Sequence, residues 1–232
     1  MEKDSRKSKL TVVLGIILMI TICFLVIAVN KNKSDQLIKI GVIDSMLDDN
    51  YLSKYDVIEN TKITKDTVIN NHGVTVLSII KIKSDAKIYY ASTLDSTLKA
   101  SIDDIAKAIY WCVEKDVDII NMSFATTENN PILKKAIDYA ISKDVVIVAS
   151  CINFKDVKSY PAMYNGVVSV SDLDTSNASV IVKGQTYTIK LLDGTVIEAS
   201  GTSCAAAYIT NQISEELTGK LNYNIVKKQK AK

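Results

Sequence analysis

Beyond residue 37 the chain alternates between short β-branched runs and stretches whose apolar residues recur every three or four positions. The runs Ile38 to Asp44, Lys87 to Ala91, Asp118 to Phe124, Val145 to Ser150 and Val167 to Ser171 predict strands. From Ser101 onward, Ile102, Ile105, Ala106, Ile109, Cys112 and Val113 share one helical face, and Ser101 with Asp104 has the form of a capping box at the helix start. Asn130-Pro131 opens a second helix, with Ile132, Ala136, Ile137, Ala140 and Ile141 directed inward. Strands that are apolar throughout, separated by amphipathic helices, predict an α/β domain: a mostly parallel sheet with helices on both faces.

The longest apolar stretch lies apart from this pattern. Leu10 to Val29 carries no charge and has the roughly 20 residues needed to cross a bilayer as a helix. Lys3, Arg6, Lys7 and Lys9 precede it, partly offset by Glu2 and Asp4, which favours a cytoplasmic N-terminus and an external remainder. The expected organisation is a cytoplasmic segment over 1–9, a transmembrane signal-anchor over 10–29, a linker over 30–37, a domain over 38–220 and a basic tail over 221–232. The rival is a cleaved signal peptide ending near Val26-Ile27-Ala28, which would make the domain secreted. Both place the domain outside the cytoplasm. The lysines of the tail, Lys227 to Lys232, suit either a solvated end or contact with anionic lipid.

Composition narrows the function classes. With 28 basic and 26 acidic residues the net charge is +2, which gives no electrostatic basis for nucleic-acid binding. Only 8 glycines and 2 prolines exclude collagen-like or proline-rich disorder. Cys23, Cys112, Cys151 and Cys204 form no C-x-x-C pair, so neither a zinc site nor a redox motif is expected, and no metal or other cofactor is implied. They read as small core residues, with a Cys112–Cys151 disulfide open to an exported domain.

In open parallel sheets, reactive groups gather beyond the carboxyl ends of strands. Asp44 closes the first run, Ser123 lies near the end of a middle one, and Asn153 follows Val145 to Ser150. The chain has a single histidine, His72, followed by Gly73 and an apolar stretch. Taken singly, each has a structural alternative. Asp44 suits a loop cap, Asn153 a turn, and Gly201-Thr202-Ser203 before Cys204-Ala205-Ala206-Ala207 a serine cap on an alanine-rich helix.

Taken together, these motifs resemble the subtilisin-like serine proteases over about residues 38 to 215. Ile38 to Asp44 resembles the family's Asp motif and His72-Gly73-Val74-Thr75-Val76 its His motif. Asn121-Met122-Ser123-Phe124 resembles the strand that binds substrate backbone, and Val145 to Asn153 the strand leading to the oxyanion-hole Asn. Tyr160-Pro161-Ala162 is also similar, and Gly201-Thr202-Ser203 resembles the nucleophile motif. The resemblance implies Ser203 as nucleophile, His72 as general base, Asp44 as the carboxylate that orients it, and Asn153 in the oxyanion hole. It further implies a peptide or protein substrate extended along Ser123, Phe124 and Ala125, beside a pocket walled by Ser150, Cys151 and Ile152 with Ser159 nearby.

The sequence also departs from the family pattern. Ala125, Thr126 and Ile152 stand where glycines are common, and Ala207 where proline is usual. The spacings between motifs are short, so loops that hold calcium in relatives are expected to be missing, and no prodomain fits between the apolar stretch and Asp44. Two functions follow from the resemblance: a membrane-anchored endopeptidase acting on exported peptides or proteins, and a degenerate relative that binds peptides or a partner without cutting.

Overall fold

The computed structural model describes residues 37–175 and 177–218. The chain divides into two compact units, Met1–Gln36 and Leu37–Lys232, and the description concerns the second. Its strands are β1 (Lys39–Ser45), β2 (Val57–Lys62), β3 (Lys87–Leu94), β4 (Ile119–Met122), β5 (Val146–Ser150), β6 (Val167–Ser171) and β7 (Val180–Ile181), followed by β8 (Tyr187–Lys190) and β9 (Val196–Ala199). The helices are α1 (Asp49–Lys54), α2 (Asn71–Ile80), α3 (Ile102–Glu114), α4 (Pro131–Ser142) and α5 (Thr202–Leu217). Seven strands form one sheet in the order β2-β3-β1-β4-β5-β6-β7, every pair parallel, while β8 and β9 make a separate antiparallel hairpin.

The apolar runs are continuous because the central strands are covered on both sides. Ile40 and Val42 of β1 pack into a layer with Val74, Val76, Leu77 and Ile80 of α2 and Ala205, Ala206 and Ile209 of α5. Ile43 faces the opposite layer, with Ile105, Ile109 and Cys112 of α3 and Leu133, Ala136, Ile137 and Ala140 of α4. The helix starts follow their capping chemistry. Ser101 Oγ accepts the Asp104 N–H and donates to Asp104 Oδ2, and Asn130 Oδ1 accepts the Ile132 N–H ahead of Pro131 in the first turn.

Gly41 is required by a close approach. A Cβ there would lie 2.7 Å from Cys112 Sγ and 3.1 Å from its Cβ, so α3 rests directly on the β1 backbone. Gly41→Ala is expected to destabilise the domain by about 1–3 kcal/mol, read as a lower urea midpoint at constant m-value. An unchanged midpoint would mean that this contact is not tight.

Some expectations are corrected. Ile132 is 47% exposed, and Leu133 fills the core position in the first turn, on the same face as Ala136, Ile137 and Ala140, which are buried as expected. The middle strand ends at Met122, leaving Ser123 and Phe124 beyond it. Cys112 and Cys151 are both buried as thiols, without a disulfide. Among the described residues no helix is long and apolar enough to cross a membrane. The stretch 10–29 and the tail 221–232 lie outside the described residues.

The topology locates the functional end of the sheet. From β1 the chain runs to the edge strand β2, returns to fill the place between them with β3, and then crosses to the other side of β1 with β4. Adjacent strands whose connections leave in opposite directions open a crevice at their carboxyl ends. Asp44 and Ser123 sit there.

Candidate active site

Asp44 is the last but one residue of β1 and its side chain is fully buried, whereas His72 is the second residue of α2 with 20% of its side chain exposed. The two meet through His72 Nδ1 and Asp44 Oδ1 at 2.8 Å. The same carboxylate oxygen accepts the Ser45 N–H at 2.7 Å, while Oδ2 is buried with no hydrogen-bond partner. The negative charge of Asp44 raises the His72 pKa above the ordinary imidazole value; burial opposes this and the hydrogen bond to Asp44 adds to it. With Nδ1–H committed to Asp44, Nε2 is the nitrogen left to exchange protons in the neutral ring.

His72 is held from several directions. Its N–H donates to Asn70 Oδ1 at 2.8 Å, the cap of α2, and Asn70 Nδ2 donates to Ser96 O at 2.9 Å. The next residue must be glycine, because a Cβ on Gly73 would run into the Tyr90 hydroxyl and stand 3.1 Å from the Ser45 carbonyl oxygen. The glycine of the His motif thus lets α2 settle on the end of β1.

Ser203 lies in the first turn of α5, after Gly201, whose φ of +105° lies in a region open to glycine. Its hydroxyl donates to Ser123 O at 2.7 Å, and Ser123 Oγ directs its single proton toward Ser203 O at 2.9 Å, with Asn121 Oδ1 an alternative acceptor at 3.1 Å. Asn121 Nδ2 reaches Thr210 Oγ1 at 2.9 Å, a second tie between β4 and α5. Among the described residues no hydrogen bond joins Ser203 to His72. The structure therefore brings Asp44 and His72 into contact and fixes Ser203 on the adjacent β4 exit, with its hydroxyl on a carbonyl.

Asn153 follows β5 and is exposed. Its Oδ1 accepts from Thr202 N (3.1 Å) and Thr202 Oγ1 (2.7 Å), so it caps α5, a role that neither Ser203 nor Gly201 fills with a side chain. With Oδ1 engaged by the helix, Nδ2 has no hydrogen bond among the described residues and remains a donor, next to the positive end of the α5 dipole.

The remaining predicted residues lie at or just beyond the carboxyl ends of β4 and β5. Ser123 is buried, and Phe124, Ala125 and Thr126 are half-buried. Thr126 exchanges two backbone hydrogen bonds with Tyr160, each 2.8 Å. Ser150 and Cys151 are buried, Ile152 is half-buried, and the Ile152 N–H donates to the buried Ser159 Oγ at 2.9 Å. Cys204, beside Ser203, is pushed up to about 11, first by burial and then by the charge of Asp172; burial also raises the Cys112 thiol. Neither is a thiolate at neutral pH. Among the described residues no group of His, Cys, Asp and Glu side chains could hold a metal ion.

Sequence reasoning missed Ser45, Asn70, Tyr90 and Thr202, which support this site. An asparagine two positions before His72 at a helix start is a recognisable cap signal. Nothing in the sequence distinguishes Tyr90 from its neighbour Tyr89.

Known proteins share both sequence and fold with this chain. Over 190 residues the chain is 31% identical to the minor extracellular protease Epr of Bacillus subtilis (strain 168), covering 74% of this chain and 28% of that protein. It is 26% identical over 149 residues to subtilisin amylosacchariticus of Bacillus subtilis subsp. amylosacchariticus, covering 57% of this chain and 39% of the relative. The chain thus spans well under half the length of these curated relatives. The prenylagaramide maturation protease PagA shares the fold at a TM-score of 0.65 and 23% identity, over 79% of this chain and 76% of that one. A family model described as Subtilase family matches residues 35–217, and the chain belongs to that family.

Proposed function

We propose that this subtilase domain is a serine endopeptidase that cleaves exported peptides or proteins through an acyl-enzyme. The observation that carries the proposal is the 2.8 Å contact of the single histidine with a fully buried carboxylate at the carboxyl end of the sheet. An imidazole so held has one tautomer and one free nitrogen, as a general base for a serine requires.

In the proposed reaction, substrate lies extended along Ser123, Phe124 and Ala125. A rotation about the Ser203 side chain moves its hydroxyl from Ser123 O to His72 Nε2. Oγ attacks the scissile carbonyl carbon as its proton passes to Nε2, and the charge of Asp44 stabilises the resulting imidazolium. The carbonyl oxygen becomes an oxyanion, received by Asn153 Nδ2 and the Ser203 N–H at the head of α5. Collapse breaks the C–N bond, and His72 delivers its proton to the leaving amine. Water then repeats the sequence on the ester, and Ser203 recovers its proton.

The proposal includes attachment to the membrane through residues 10–29 with the domain on the outer side. The uncharged length of that stretch and the basic residues before it support this topology. Protease added to intact cells is expected to degrade the domain; protection would contradict the topology.

A second function, peptide binding without cleavage, draws on the Ser203 hydroxyl, which is bonded to Ser123 O, and on the side chains of Thr126 and Ile152, which stand where glycines are common in the family. A fluorophosphonate probe separates the two. The peptidase is expected to label wild type and not Ser203→Ala; a folded wild type that stays unlabelled would favour the binding module.

A further inference from the structure

Tyr90 is not one of the reacting groups assigned above, yet it is bonded to the residue that follows Asp44. It is fully buried in β3, the strand beside β1, where Val42 is its register partner. Its hydroxyl donates to the Ser45 carbonyl oxygen at 2.7 Å. A buried tyrosine hydroxyl generally takes one partner, and this one has chosen the residue that follows Asp44.

Ser45 is the junction through which that bond reaches the site. Its N–H donates to Asp44 Oδ1, its Oγ donates to Asn70 O at 3.2 Å, and the same Oγ accepts the Gly73 N–H at 3.0 Å. The N–H of Ser45 therefore holds the carboxylate and its hydroxyl the two segments that flank His72, which leaves its carbonyl oxygen for Tyr90. Tyr90 holds Ser45 in turn. Because Asp44 Oδ2 has no partner, the carboxylate is oriented through Oδ1 alone, by Ser45 N–H and His72 Nδ1. A shift of Ser45 turns the carboxylate away from the ring. The Tyr90 oxygen also fills the space that glycine leaves at position 73, so the same atom limits how deeply α2 settles. Burial, and secondarily the charge of Asp44, raise the Tyr90 pKa well above the ordinary phenol value, which keeps it a donor.

We propose that Tyr90 is a positioning residue for the Asp44–His72 pair, acting through Ser45. The inference rests on the peptidase function proposed above, but its first test does not require turnover. His72 is the sole histidine, so its ring resonances titrate without overlap. In Tyr90→Phe the imidazole is expected to titrate at lower pH than in wild type, because a carboxylate that has turned away raises its pKa less. Peptide hydrolysis by the same variant is expected to show a kcat about 10-fold lower with KM within twofold, since no substrate contact is lost.

Tyr89→Phe is the control. Tyr89 shares the strand, stacks edge-on against Trp111 and is expected to leave both readouts unchanged. If Tyr90→Phe lowers the unfolding temperature while the His72 titration and kcat stay at wild-type values, Tyr90 is only a packing residue and the proposal is overturned. Should Tyr90→Phe fail to fold, Ser45→Ala carries the test. It deletes the bonds to Asn70 and Gly73 and is expected to move the titration in the same direction; an unmoved titration in the folded variant overturns the proposal. A titration that moves in an enzyme showing no turnover would count against the peptidase and leave the positioning intact.

Discussion

Replacing His72 with alanine is expected to lower kcat for peptide hydrolysis by about 10⁶-fold, the loss that follows removal of the histidine or serine from a subtilisin triad. The chain holds no second histidine to take its place. Without a base, the Ser203 hydroxyl must lose its proton to water, and its present partner, the Ser123 carbonyl, accepts a hydrogen bond but cannot take the proton. Ser203→Ala is expected to lose a similar amount, and the double variant little more, because the two side chains act as one unit. Binding of substrate along Ser123 to Ala125 should survive, so KM is expected to change little. Steady-state hydrolysis of a chromogenic peptide checks both. Activity within about 100-fold of wild type in either variant would mean that the chemistry runs elsewhere.

The second large effect is expected at Asp44. Asp44→Asn preserves size but replaces an acceptor of two hydrogen bonds with a group that also donates. Oδ1 now accepts from both Ser45 N–H and His72 Nδ1–H. An amide nitrogen turned toward the ring would require Nδ1 to accept, leaving the proton on Nε2, where it blocks the attack of Ser203. A loss of about 10⁴ in kcat is expected, as for the same change in other serine protease triads. The pH profile should respond as well. Since the charge of Asp44 is the main cause of the raised His72 pKa, its removal should move the acid limb of the residual activity to lower pH. A loss below tenfold with an unmoved limb would indicate that the carboxylate is structural.

Much of the scaffold was legible because the central strands are covered on both sides, so that β1, β4 and β5 read as unbroken apolar runs. Their ends could be located to within a residue or two, and with them Asp44, Ser123 and Asn153. Elements without that burial were missed. Edge strand β2 reads Val57-Ile58-Glu59-Asn60-Thr61-Lys62 and is largely exposed, so burial imposes no period on it. Helix α1 has six residues, too few to show a face. The hairpin β8–β9 has four-residue strands, too short to show an alternation, and Asp193-Gly194 is its one turn signal. Ile132 is the one exception on α4: the buried face runs through Leu133, Ala136, Ile137 and Ala140, at the spacing i, i+3, i+4, i+7, and Ile132 lies at the edge of that face in the exposed first turn.

Within the site the limits are of another kind. A motif names residue types, but it does not say which rotamer the hydroxyl of Ser203 takes, and here that hydroxyl rests on Ser123 O. Nor does sequence order show that Asn153 caps α5 through Thr202, which is what aims its amide nitrogen. The network of Ser45, Asn70, Gly73 and Tyr90 joins residues up to 45 positions apart and carries no local signal.

The proposed chemistry requires His72 as a neutral base under the influence of Asp44. The most direct measurement follows the rate of fluorophosphonate labelling of Ser203 across pH beside the NMR titration of the His72 ring in the same protein. The two curves are expected to share one midpoint, above that of an ordinary imidazole, with labelling lost on the acid side as the ring protonates. Labelling that persists unchanged through the titration of His72 would contradict it.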